Sequence, residues 1–454
     1  MMKRYIIGIL FFGFAVTAGA QRIPIDSCML TLDSCKALAL QNNVVVKNSD
    51  LDVQAAQELK KQAFTKCFPN VSALAGGYYA LKPLLEFGID DIGNASARQW
   101  LHNLYFEYGA AMGLPNKLSL FENGVMVGAT AVQPIYMGGQ IVNGNRLAKV
   151  GVEAAELQNL LVKEQLTKQV EENYWLIVSL MDKRKTLMQA LVFLDTLHRD
   201  VTAAAGAGLI SPNDSLKVVL KQHEMQSNLL KVNNGIELAK MALCQMIGME
   251  YDENLILTDT LTMPSAGLDY QIDAATAVHN RKESQLLELQ VSAEELKKKM
   301  TVGETLPHLM VGASAFYGNP VFDHFSANGL GFATLQVPLT AWWENAHKIK
   351  QHNILIQKAE NEREDFTEKM MLETKQAWFN VQEAYSQVVL TETAVADAEA
   401  NWRSSQAHYQ AGLISVSDLL EAQTLFLQAQ NQRTDALIDL KIKAEHYKTI
   451  TSNP

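Results

Sequence analysis

Proline and glycine almost vanish from the final stretch of this chain. Between Pro338 and Pro454 there is no other proline, and Gly412 is the only glycine. Proline costs a helix interior about 3 kcal/mol and glycine about 1 kcal/mol, so this stretch reads as two long helices around one turn. Charged residues are also sparse at 19%, against 48% hydrophobic ones, and Ala, Leu, Gln, Glu and Lys dominate. That usage disfavours a mixed globular core. Cysteine is limited to Cys28, Cys35, Cys67 and Cys244, with no paired-cysteine metal motif among them. Cys28 and Cys35, seven apart, either pair in an oxidising compartment or stay reduced and buried. Cys28 follows Ile25-Asp26-Ser27 rather than an apolar run with small residues, which argues against lipid attachment.

A long hydrophobic run is missing too, except at the start. Lys3 and Arg4, the apolar run Ile6 to Val16 and the small residues Ala18-Gly19-Ala20 form a secretory leader over residues 1–20. After Gln21 nothing approaches the roughly 18 to 20 apolar residues of a spanning helix. An exported chain without an apolar anchor is expected. Removing Lys3 and Arg4 moves the formal charge from −10 to −12, and so acidic a surface excludes nucleic acid as a natural partner.

What is present is a repeat. Residues 207–216, AGLISPNDSL, and 411–420, AGLISVSDLL, share seven of ten positions at a shift of 204, which also sets Pro134 on Pro338. Upstream, a shift of 238 aligns Leu51, Val53, Ala55 and Pro69 with Leu289, Val291, Ala293 and Pro307. A tandem duplication is the expected organisation. The first repeat, 21–248, holds a helix at about 44–66, β-like segments at 69–80 and 123–135, a long helix at 140–206 and another at 212–248. A linker, 249–272, leads to the second repeat, 273–454. It has a helix at about 282–302, β segments at 307–318 and 328–340, and helices at 343–411 and 415–451. The fold class is mainly α with a small β part. Leu425, Ala429, Ala436, Leu440, Ala444 and Tyr447 give the last helix a coiled-coil stripe. The long helices would extend roughly 100 Å at 1.5 Å per residue, the scale of a rod crossing a compartment.

The β segments alternate with a period of two: Val71, Ala73 and Ala75 against Asn70, Ser72 and Gly76, and Val311, Ala313 and Ala315 against Gly312 and Ser314. Each is long enough to cross a bilayer as a tilted strand. Four strands cannot close a barrel, and open edges are forbidden in hydrocarbon. Two chains would give eight strands and three would give twelve, and the strands alone do not choose. Tyr78, Tyr79, Phe316 and Tyr317 fit an interfacial belt at one end, and Tyr136, Trp342 and Trp343 fit one at the other. Packing between barrel and helices is the alternative explanation of these aromatics. Residues 81–121 form a loop or cap between the first two strands. Gly76-Gly77 and Gly138-Gly139 suit strand packing and a strand-to-helix bend.

Residues 30–43, LTLDSCKALALQNN, with Phe68-Pro69-Asn70-Val71-Ser72, Gln133-Pro134-Ile135-Tyr136-Met137-Gly138-Gly139 and Tyr409-Gln410-Ala411-Gly412-Leu413-Ile414-Ser415, resemble the TolC-like outer-membrane efflux family. The resemblance implies a homotrimer whose twelve strands form an outer-membrane β-barrel and whose twelve long helices continue it as a periplasmic tunnel. It implies partnership with a periplasmic adaptor protein and an inner-membrane transporter, in efflux or type I secretion. No catalysis, cofactor or metal is implied. The location implied is the outer membrane of a Gram-negative bacterium, with lipid around the barrel.

The two AGLIS turns would lie at the periplasmic tip. Ser211-Pro212-Asn213-Asp214 and Ser415-Val416-Ser417-Asp418 are helix starts, which gives Asp214 and Asp418 a capping role. By resemblance Asp214 and Tyr409 contact across a constriction, and Asp418 and Glu421 form its acidic ring. Gly208, Leu209, Ser211, Gly412, Leu413 and Ser415 make the turns that meet the adaptor. The family's latch arginine is replaced by Ile414, so that latch is absent or remade. His347 and His352, five apart near Glu344, have an awkward spacing for a metal and read as a solvated helix face. The rival readings are a periplasmic coiled-coil scaffold, which leaves the repeated β segments unexplained, and an enzyme, for which no acid, base and nucleophile assemble.

Overall fold

The computed structural model describes residues 29–82, 85–112, 117–120, 123–208, 210–262, 271–319 and 325–451. The expected leader and Cys28 lie outside the described residues. In chain order the elements begin with β1 (Met29–Leu30), α1 (Leu32–Asn42), α2 (Val44–Thr65), β2 (Asn70–Tyr79) and β3 (Leu85–Gly88). Next come α3 (Ala95–Leu104), β4 (Lys117–Leu120), β5 (Asn123–Met137), α4 (Gln140–Gly206), α5 (Pro212–Ile247) and β6 (Ile256–Leu257). The second half holds α6 (Ala274–Asn280), α7 (Lys282–Gly303), β7 (His308–Gly318), β8 (Ser326–Gln336), α8 (Ala341–Gln410) and α9 (Val416–Thr451). Both halves run helix, strand, strand, long helix, short helix.

Helices α4 and α8 contain 67 and 70 residues, or roughly 100 Å each at 1.5 Å per residue. Near the sheet, α2, α4, α7 and α8 lie side by side in that order, and towards the far end the order is α5, α4, α9 and α8. Among the described residues, three apolar clusters hold them. One, midway along the rods, gathers Leu30, Cys35, Val46, Tyr174, Leu243 and Ile247. A second joins Trp378, Val381 and Val388 to Leu437, Leu440 and Tyr447. The third lies at the far tips.

A buried polar node closes the first cluster. The Tyr174 hydroxyl donates to Asp259 Oδ2 at 2.8 Å, and the Leu32 amide donates to the same oxygen at 2.8 Å. Burial, then the carboxylate, push the Tyr174 phenol well above its ordinary range. Through this node and the parallel pairing of β1 with β6, the linker after α5 is sewn to the start of the chain.

The β segments form one antiparallel sheet in the order β2-β5-β7-β8. Its register sorts the side chains into two faces. One carries the rows Val71–Ala131–Ala313–Gly331, Ala73–Ala129–Ala315–Gly329 and Ala75–Val127–Tyr317–Ala327. The other carries Ser72–Thr130–Ser314–Leu330 and Leu74–Gly128–Phe316–Asn328, with Thr130 Oγ1 and Ser314 Oγ 2.9 Å apart. In the central strands the first-face residues Val127, Ala129, Ala313 and Ala315 are exposed, whereas Gly128, Thr130, Gly312 and Ser314 are half-buried. The sheet therefore curls with its mixed, partly polar face inside and its apolar face outside. β2 and β8 are its unpaired edges.

Several boundaries differ from expectation. The segment expected at 328–340 is Ser326–Gln336, because Pro338 has no amide for the ladder. Its counterpart Pro134 lies inside β5, opposite Met310, where the register slips before Tyr136. An unforeseen helix, α1, is capped by Thr31 and ends at Asn43, whose side chain accepts from the Val45 amide and starts α2. The expected loop 81–121 contains the antiparallel pair β3 and β4 with α3 between them in the chain. His352, expected on a solvated face, is half-buried with Nε2 3.2 Å from Thr301 Oγ1. At the sheet's helical end, Trp342 donates Nε1–H to the Thr305 carbonyl at 2.9 Å, and both Trp342 and Trp343 are exposed. At the other end Tyr317 stacks on Phe325.

Candidate functional site

The far tips are the turns α4–α5 and α8–α9. Each is built on a glycine in the left-handed region, Gly208 with φ +75° and Gly412 with φ +73°. The Gly412 amide donates to Tyr409 O and the Leu413 amide to His408 O, both at 2.9 Å, so the last carbonyls of α8 are satisfied before the chain reverses. Gly208 repeats the first of these bonds, to Ala205 O at 3.0 Å. Leu209 lies outside the described residues. Leu413 is exposed, projecting an apolar side chain from the turn.

The two helix starts diverge in chemistry. At Ser415 the expected reciprocal cap forms. Its amide donates to Asp418 Oδ2 at 2.9 Å, its hydroxyl donates to the same oxygen at 2.8 Å, and the Asp418 amide donates back to Ser415 Oγ at 3.2 Å. These bonds, the amide first and the hydroxyl second, hold the Asp418 carboxyl below its usual 3.8. Ser211 likewise accepts from the Asn213 amide at 3.2 Å, but Asp214 takes a different partner from the cap that its motif suggests. Its Oδ1 is 3.0 Å from Lys217 Nζ, and that ammonium also donates to Ser417 Oγ at 2.8 Å. An ammonium one helical turn away is a stronger partner for a carboxylate than a neutral amide, so the ion pair forms.

Tyr409 packs with Ile414, Ile210 and Leu420 against the tip cluster of Val201, Val218, Val416 and Leu419. Burial, then the charges of Asp200 and Asp214, push its phenol up. Tyr409 and Asp214 thus lie within electrostatic reach, although no hydrogen bond joins them among the described residues. Asp418 and Glu421 are both exposed one helical turn apart. Ile414 occupies an apolar position.

Sequence reasoning passed over Lys217 and Ser417. The repeat itself held the signal: the shift of 204 that sets Asp214 on Asp418 also sets Lys217 on Glu421. One repeat thus carries an acid and a base three apart, and the other carries two acids.

A pH response follows from the Asp418 cap. Its folded pKa lies below the unfolded one, so the cap stabilises the turn above the unfolded pKa and is lost as pH falls through the folded value. Cleavage within 411–416, measured with proteases active across pH 3–7 and normalised to an unfolded substrate, is expected to accelerate below about pH 4. Asp418→Asn is expected to be cleaved faster already at neutral pH. A turn equally resistant from pH 3 to 7 would remove the cap from the account.

Residues 271–449 match the family described as outer membrane efflux protein. No curated protein matches the chain. Among solved structures, it is similar to the outer-membrane channel OprN, with a TM-score of 0.77 at 12% identity over 93% of this chain and 90% of that one. It is also similar to the outer membrane protein VceC from Vibrio cholerae, with a TM-score of 0.73 at 15% identity over 92% and 96%. A third, the CmeC outer membrane channel of Campylobacter jejuni, has a TM-score of 0.73 at 14% identity over 92% and 85%. At such identities the likeness establishes the fold: long helical rods carrying a small sheet.

Proposed function

We propose that this chain, whose residues 271–449 match the outer membrane efflux protein family, belongs to that family and is one third of an outer-membrane conduit. The carrying observation is the sheet: an apolar convex face, a partly polar concave face, and two edges without partners. In hydrocarbon those edges must be paired, and a neighbouring chain's β2 against β8 pairs them. Three copies close twelve strands around a lumen lined by Thr130 and Ser314, and the rods continue it as a twelve-helix tunnel into the periplasm. A periplasmic scaffold would have no use for an apolar convex face.

The conduit is passive. Small molecules, or secreted proteins, pass from an inner-membrane pump and its adaptor to the exterior, in an efflux or type I secretion system. The tip turns Gly208–Ser211 and Gly412–Ser415 meet the adaptor, with Leu413 as an apolar anchor. Asp214, Tyr409, Asp418 and Glu421 surround the constriction. Exposed carboxylates ringing a narrow opening attract cations and repel anions.

The protein purified in mild detergent is expected to run as a trimer that separates on heating, to stay in membranes through a carbonate wash, and to conduct in planar bilayers. Deleting it is expected to sensitise the cell to some of a panel of detergents, dyes, antibiotics and metal ions. A monomer, or release into the wash, would overturn the reading.

A further inference from the structure

Each chain ends in two hairpins, α4–α5 and α8–α9, and the width of any opening at the tips depends on how freely they part. The apolar contact between them is shared by Val218 on α5 and Val416 and Leu419 on α9, beneath Tyr409 and Ile414. Such contact resists separation but tolerates sliding, since it is not directional. A directional tie has to be polar.

We infer that Lys217 is that tie: a positioning residue that clasps α5 to α9 within one chain and sets how readily the tip opens. Its ammonium stands 3.0 Å from Asp214 Oδ1 and 2.8 Å from Ser417 Oγ, the latter 200 residues from Lys217 in the chain. The geometry divides the work. Asp214 lies on the same helix as Lys217, so this half of the interaction survives any movement of the hairpins and holds the long side chain in one orientation. Ser417 is then met by a donor already aimed at it, and only that bond breaks when α9 moves away. The neighbouring acid offers no substitute, because Asp418 is committed to Ser415.

The clasp is built for reversibility. Lys217 is two-fifths exposed, so water replaces Ser417 as acceptor at little cost, and a partly solvated bond of this kind is a modest one. Breaking it is expected to shift the closed-to-open balance roughly three- to tenfold. Lys217 has a second consequence, since it sets one positive charge against Asp214 and near Asp418. The constriction is thus less negative than its carboxylates suggest.

The consequence for opening rests on the conduit reading, whereas the clasp itself does not, and the test separates them. Wild-type protein in planar bilayers addresses the conduit alone: no conductance would count against that reading. With conductance present, Lys217→Met is expected to raise the open fraction about three- to tenfold. Ser417→Ala, which changes no charge, is expected to raise it comparably. The double variant should do no more than Lys217→Met, and Lys217→Arg, which keeps a donor, should stay near wild type. A tip indifferent to Lys217→Met, a silent Ser417→Ala beside an active Lys217→Met, or effects that simply multiply would each overturn the clasp. Protease cleavage within 206–215 and 410–416 needs no pore. Faster cleavage in both single variants is expected, and rates equal to wild type would overturn the clasp even in a protein that never conducts.

Discussion

Replacing Ala129 by arginine is expected to stop the chain assembling in the outer membrane, while the same replacement one residue later, at Thr130, is expected to leave assembly largely intact. Both residues lie near the middle of β5, so strand position is matched, and the small loss of strand propensity falls on the Thr130 variant. What differs most is the face. Ala129 lies in the row Ala73–Ala129–Ala315–Gly329 on the convex side, and Thr130 lies opposite Ser72 and Ser314 on the concave side. An arginine facing lipid at the bilayer midplane costs about 2–4 kcal/mol, incurred once per chain. In the proposed barrel the guanidinium at Thr130 would stay in water, and the loss is the 2.9 Å contact with Ser314. The observable is the heat-dissociable oligomer in membranes. The Thr130→Arg channel, if it forms, should also conduct cations less well than wild type. Equal tolerance at both sites would mean that the sheet does not meet lipid, and the reverse pattern would mean that the faces have been exchanged.

Much of this arrangement was legible because it depends on local chemistry. Gly412, alone among about 115 residues without another breaker, had to be the turn, and the Ser415–Asp418 cap follows from four adjacent residues. The alternation Val71, Ala73, Ala75 against Ser72 and Gly76 announced a two-faced strand, although which face curls inward needed the register of all four. Illegible features depend on residues brought together from far apart. Nothing near Tyr174 or Leu32 announces that Asp259 will accept from both. Asp214 shows the limit most sharply, since its motif matches that of Asp418. A lysine one turn further along, where the other repeat has Glu421, redirects its carboxylate and reaches across to Ser417. Pro134 and Pro338 make the same point for backbone. They align at a common shift, yet Pro134 is absorbed inside a strand by a register slip while Pro338 ends up beyond one.

The bend from β5 into α4 should be among the least forgiving places of the described residues. Gly138 and Gly139 both have positive φ, +60° and +81°, so alanine at either carries a backbone penalty of roughly 1–2 kcal/mol. Their surroundings differ. A Cβ on Gly139 would have Asn143 Nδ2 as its nearest neighbour, at 3.5 Å, whereas a Cβ on Gly138 would overlap the carbonyl oxygen of Gly303. The approach is mutual, because a Cβ on Gly303 would lie 2.5 Å from Gly138 O. Gly303 is the buried last residue of α7, so the two backbones lock the first repeat's bend against the end of the second repeat's helix. Side chains can repack around an intruding methyl group, but two backbone segments must move apart as wholes. That movement would carry α7 away from Gln140, which reaches His308 Nε2 at 3.3 Å, and would disturb the start of β7 against Met137. Overpacking of this kind adds about 1–3 kcal/mol to the conformational cost. Gly138→Ala is therefore expected to lose most of the assembled protein and Gly139→Ala only a minor fraction, measured as heat-dissociable oligomer and as thermal unfolding in detergent. Equal losses would leave the left-handed backbone alone as the cause and remove the Gly303 contact from the argument.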